Sequence, residues 1–89
     1  MDIAQERLDR MIVYGTKQCP DTTACLESLE KAGTPYEFRD ISDLSMLKEF
    51  LSYRDHSPLF DPVRAAGGVG IPFLVLEDGT QTFEWSSLG

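Results

Sequence analysis

Positive charge is scarce in this chain: 8 Lys and Arg face 15 Asp and Glu over 89 residues, a formal charge of −7. Phosphate backbones and anionic lipid surfaces repel such a protein, so neither nucleic acid nor a membrane is an expected partner. Long apolar runs are missing as well. No stretch approaches the roughly 20 residues that a membrane helix needs. The opening MDIAQERLDR is charged throughout, unlike a secretory leader, so a cytoplasmic protein is expected. The only two cysteines, Cys19 and Cys25, are too few and too close for a secreted disulfide framework. In a reducing compartment such a pair serves redox chemistry, metal binding or packing. A metal site needs three or four ligands, and Cys19, Cys25 and the single histidine, His56, make no recognised spacing, so no metal is expected. Repeats and low-complexity stretches are also lacking.

What is present is apolar material enough for one small folded domain: 42% of residues are hydrophobic and 10% aromatic. Residues 1–10 have no clear partner in the remainder of the chain and are set apart as an N-terminal extension, with the domain at 11–89. Met11-Ile12-Val13-Tyr14, closed by Gly15, reads as a strand buried on both faces because its hydrophobicity does not alternate. A helix runs from Pro20, apt for a first helical position, to Ala32, with Gly33 and Pro35 as its stop. Thr22, Cys25, Leu26, Leu29 and Ala32 should form its core-facing stripe.

Tyr36 to Ile41 alternates as a second strand. Ser42 or Asp43 then caps a second helix burying Leu44, Leu47, Phe50 and Leu51 and ending between Tyr53 and His56. The proline- and glycine-bearing segment 57–68 reads as a loop with one short helical turn. Phe73 to Leu76, the turn Asp78-Gly79 and Gln81 to Trp85 form a terminal hairpin. The order β-α-β-α-β-β predicts an α/β domain with a parallel first pair joined through a helix, then an antiparallel hairpin. The aromatics Tyr14, Tyr36, Phe38, Phe50, Phe73 and Phe83 are assigned to the core.

Cys19 is the candidate nucleophile. A sulfur where a loop enters a helix lies near unpaired N–H groups and the positive end of the helix dipole, which favour thiolate over thiol. Lys17 adds a cation two residues upstream, Asp21 opposes it, and Thr22 is placed to donate its hydroxyl to the sulfur. Cys25 reads as core packing. Six residues of helix rise roughly 9 Å, whereas a disulfide needs Cα atoms within roughly 7 Å.

The strand Met11 to Tyr14, the run Thr16-Lys17-Gln18-Cys19-Pro20-Asp21-Thr22, and Gly70-Ile71-Pro72 before a hairpin together resemble glutaredoxins of the thioredoxin-like fold. Leu47-Lys48-Glu49-Phe50-Leu51, Arg54-Asp55, Pro58, Phe60, Val63, Gly67 and the run from Gly70 to Gly79 look closer still to small glutaredoxin-related proteins of anaerobic and Gram-positive bacteria. The resemblance implies a thioredoxin-like domain with a four-stranded mixed sheet ordered second, first, third, fourth, and a thiol–disulfide oxidoreductase with Cys19 as the attacking cysteine. In that frame Pro20 follows the nucleophile, and Pro72 is a cis-proline beside it. Ile71 offers its backbone to a glutathione or peptide thiol, and Lys17 steadies a glutathione carboxylate. No permanent cofactor is implied. Glutathione or another low-molecular-weight thiol is the co-substrate, a disulfide-containing or glutathionylated protein is the partner, and the protein acts as a monomer.

Thr22 stands where dithiol relatives carry a resolving cysteine. What remains is a one-cysteine mechanism, or resolution by Cys25 after rearrangement. The final helix of typical members is missing. Two alternatives belong to other classes: a [2Fe–2S] carrier ligated by Cys19 and glutathione from two protomers, and a non-catalytic docking module.

Overall fold

The computed structural model describes residues 10–87. The rest of the N-terminal extension, with Leu88 and Gly89, lies outside the described residues. The elements are β1 (Met11–Gly15), α1 (Pro20–Ala32), β2 (Tyr36–Asp40), α2 (Leu44–His56), a 3₁₀ turn (Pro58–Phe60), α3 (Asp61–Ala65), β3 (Phe73–Val75), β4 (Gln81–Thr82) and a second 3₁₀ turn (Trp85–Ser87). They make a mixed α/β structure around a four-stranded sheet ordered β2-β1-β3-β4. Strand β1 runs parallel to β2 and antiparallel to β3, which pairs antiparallel with β4.

The lack of alternation in β1 has its expected cause, for helices cover both faces of the sheet. Met11, Val13 and Leu74 meet Cys25, Leu26 and Leu29 of α1 on one face. On the other, Ile12, Tyr14, Phe73 and Val75 meet Phe50 of α2 and Phe60. Tyr14 stands at the centre of the second cluster and still finds polar partners. Its hydroxyl donates to Glu49 Oε1 at 2.9 Å and accepts from Arg39 Nη1 at 3.3 Å. Burial first, and then the bond to Glu49, push the Tyr14 phenol up from its ordinary range.

Helix α1 ends as its sequence indicates. Gly33 takes a left-handed φ of 72°, and the N–H of Thr34 reaches back to the Leu29 carbonyl at 3.0 Å. Ala32 is nonetheless exposed, because the sheet contact stops at Leu29. Asp43 caps α2, accepting from the N–H groups of Ser45 and Met46. The buried face of α2 differs from the expected one. Leu44 is 64% exposed and Leu51 37%, while Leu47, Phe50 and Tyr53 face the aromatic cluster. Spacings of three track this short contact, which leaves the first helical turn and the Leu51 flank to solvent.

The segment 57–68 holds two short helical pieces rather than one. It is tied down by polar bonds: Arg54 donates to the Gly68 carbonyl at 2.6 Å, and Ser57 Oγ to Gln81 Oε1 at 2.7 Å. Arg64 bonds Asp61 and the carbonyls of Arg54 and Ser57. Strand β3 stops at Val75, where Leu76 enters the turn closed by its N–H to the Thr80 carbonyl. Strand β4 is also shorter than its alternation suggests. Thr82 Oγ1 accepts the Glu84 N–H at 2.9 Å and turns the chain, so Phe83 to Trp85 leave the ladder.

Candidate functional site around Cys19 and Ile71-Pro72

The loop from Gly15 carries the chain from β1 into α1, and its last residue, Cys19, is the N-cap. Cys19 has extended backbone angles and makes no side-chain cap bond; its N–H donates to the Thr16 carbonyl at 2.9 Å. Its thiol is free and half-buried. Pro20 occupies the first helical turn, where a missing N–H costs nothing, and is exposed.

The β1–β3 register brings the second motif to the same end of the sheet. Tyr14 pairs with Phe73, so one step further along stand Gly15 and Pro72. The Ile71–Pro72 peptide is cis, and Pro72 is buried. Gly70 arrives with φ of 89°, and a Cβ there would fall 2.7 Å from Phe60 Cε2, so only glycine suits this approach. The backbones of Val69, Gly70 and Ile71 form no hydrogen bond with another described residue. Val69 is 52% exposed.

A cleft of ≈ 210 Å³ opens at this end. Ile71, Pro72 and Gly70 line one side of it together with Val63, Phe83 and Trp85, and Asp21, from the first turn of α1, completes the lining. The predicted site residues therefore separate. Ile71 and Pro72 share the cleft, and Cys19 and Pro20 stand at the head of the helix that lends it Asp21. Lys17 lies elsewhere, exposed, with its Nζ 5.9 Å from the Phe38 ring, and lines a different groove with Glu30 and Tyr36. Thr22 is fully buried, and its Oγ1 has no hydrogen-bond partner among the described residues. The expected bond from Thr22 to the Cys19 sulfur is absent: the side chain packs against Gly15 instead, and the hydroxyl stays unpaired. The neighbouring Thr23 hydroxyl does bond, to the Cys19 and Lys17 carbonyls.

Cys25 is also fully buried, packed among Met11, Val13, Leu26, Leu29 and Leu74. Burial pushes its thiol up to about 11. His56 is exposed at the end of α2, its Nδ1 2.9 Å from the Ser52 carbonyl.

Phe83 packs on the aromatic cluster as expected, its ring 5.0 Å from that of Phe60, and also lines the cleft. Asp21, read from sequence only as a charge opposing a thiolate, lines it as well. No local signal marks Phe83 and Trp85 as a pair: Phe83 packs on the aromatic cluster and Trp85 on the cluster beneath α1, and only the chain's path brings both to the cleft.

No protein-family model and no solved structure matches the chain. An uncharacterized protein of Haemophilus influenzae is 34% identical over 82 residues, covering 91% of this chain and 95% of that protein. The chain belongs to the same family as this uncharacterized protein.

Proposed function

We propose that this protein is a thioredoxin-like, glutaredoxin-related thiol–disulfide oxidoreductase that works through one cysteine, Cys19. The mixed sheet ordered β2-β1-β3-β4, with helices on both faces, is compatible with that fold. The observation that carries the reading is a free, half-buried thiol at the N-cap of α1, whose first turn lends Asp21 to an open cleft lined by Gly70 and Ile71, where the backbone of residues 69–71 bonds no other described residue. Such a backbone can accept an extended peptide by main-chain hydrogen bonds.

In the reaction the Cys19 thiolate attacks one sulfur of a disulfide. A new S–S bond forms to Cys19, the old one breaks, and the displaced thiolate leaves with the electron pair and takes up a proton. A second thiol, glutathione or another small thiol from the cytoplasm, then attacks the mixed disulfide and releases Cys19. One disulfide has been exchanged for another and no net electrons remain on the protein. Cys25 takes no part, since its sulfur is enclosed in the core.

The test is thiol-coupled reduction of a mixed disulfide by wild type, Cys19→Ser and Cys25→Ala. Loss of turnover in Cys19→Ser alone is expected. Equal rates in wild type and Cys19→Ser would overturn the proposal and leave a docking module.

A further inference from the structure

The charge around the cleft is one-sided. Among the described residues, Asp21 supplies the only ionisable side chain in its lining; the remainder is the backbone and side chains of Gly70 to Pro72 with Val63, Phe83 and Trp85. No cation lines the cleft among the described residues, and three are committed elsewhere. Arg54 bonds the Gly68 carbonyl, Arg64 bonds Asp61 and two carbonyls, and Lys17 opens onto another groove. The positive end of α1 is worth about half a charge, less than the full carboxylate of Asp21 in its first turn. The chain as a whole carries −7.

Size narrows the choice further. At ≈ 210 Å³ the cleft is smaller than the roughly 300–1,000 Å³ of sites that enclose a small molecule. Its apolar walls suit one side chain of a larger partner, with the flanking main chain lying along residues 69–71.

We infer that the cleft selects a protein disulfide whose half-cystine is flanked by an apolar residue and a basic one, the basic group reaching Asp21, in preference to an anionic tripeptide such as glutathione. This rests on thiol exchange at Cys19 and adds the substrate class. Opposite charges in partial solvent exposure attract weakly and are screened by salt, so the discrimination is modest and depends on ionic strength.

The experiment uses two short peptides with one cysteine and one apolar neighbour, differing only in a Lys or a Glu beside the cysteine. Each is joined as a mixed disulfide to thionitrobenzoate. Attack by Cys19 forms the Cys19–peptide bond, breaks the peptide–thionitrobenzoate bond and releases the coloured thiolate. Wild type should react about five- to tenfold faster with the Lys peptide at low salt, a difference of roughly 1 kcal/mol. The ratio should shrink in high salt and fall towards one in Asp21→Asn. Equal rates for the two peptides, a preference for Glu, or a ratio unchanged in Asp21→Asn would overturn the inference while leaving thiol exchange standing. Release of the coloured thiolate by Cys19→Ser as fast as by wild type would instead remove the exchange reading, and the inference with it.

Discussion

A methyl group on Gly15 would lie 2.6 Å from Thr22 Oγ1 and 2.7 Å from Thr22 Cγ2. Strand β1 and helix α1 are thus in contact with no side chain on the strand between them, at the point where the chain turns towards Cys19. Thr22 cannot yield easily, because it is fully buried on a helix whose neighbours Cys25 and Leu26 are packed. Gly15→Ala should therefore cost about 1–3 kcal/mol, the range for overpacking a close contact. Adding Thr22→Ala should recover part of that loss. A double-mutant cycle by urea unfolding measures the coupling, which additive effects would disprove.

Thr22 carries a second consequence. Its hydroxyl is buried without a partner among the described residues, and such a group loses its hydration for no return. Thr22→Val keeps the shape and deletes the orphan oxygen. It should raise stability by about 1 kcal/mol, read as an upward shift of the urea midpoint at unchanged slope. Thr22→Ser keeps the orphan and adds a methyl-sized void, so its midpoint should fall.

The two cysteines should differ sharply towards an alkylating reagent. Cys19 is accessible at the N-cap, whereas Cys25 is 0% exposed and reacts only when the core opens. Mass spectrometry of native protein treated with iodoacetamide should find a single adduct at Cys19. Modification of Cys25 should be slower by on the order of a thousandfold or more, the scale of a domain's unfolding equilibrium. Comparable rates at both sites would contradict the burial.

Alkaline pH should destabilise the fold in a defined window. The Cys25 thiol is raised from 9.0 to about 11 in the native protein. Below 9 both states hold the proton and the stabilisation is complete. Between 9 and 11 the unfolded chain has released it and the native one has not, so unfolding becomes easier as pH rises. The loss amounts to roughly 2–3 kcal/mol. Tyr36, raised to about 12 chiefly by its bond to Glu30, extends the decline in the same direction. Denaturant midpoints from pH 8 to 11 should fall steeply in wild type and less steeply in Cys25→Ala; parallel curves would rule out this assignment.

Strand β1, the limits of α1 and the cap of α2 are legible because each has a strictly local signature: an apolar run, Pro20 and Gly33, and the Asp43 side chain. The buried face of α2 is not legible. Leu44 and Leu51 are as hydrophobic as Leu47, and only the placement of Tyr14 and Phe73 decides which leucine meets them. The end of β4 escapes sequence reasoning because the alternation through Trp85 is real, but the Thr82 hydroxyl diverts the Glu84 N–H from the ladder. At the site, the positions of Cys19 and Pro72 follow from motif and topology. The cleft does not, for its lining comes from α1, α3, the loop before β3 and the chain end. Convergence of four separated segments leaves no mark at any one of them.

The two strands at the middle of the sheet turn both of their aromatic rings to the same face. Val13 and Leu74 turn to the aliphatic side, Tyr14 and Phe73 to the aromatic side, where Phe60 and Phe73 stand 4.8 Å apart. A pairing displaced by one residue would drive rings into space shaped for branched aliphatics and leave a void on the opposite side. The partition works as a proofreading device for assembly, in which a misaligned β1–β3 pair is penalised on both sides of the sheet at once.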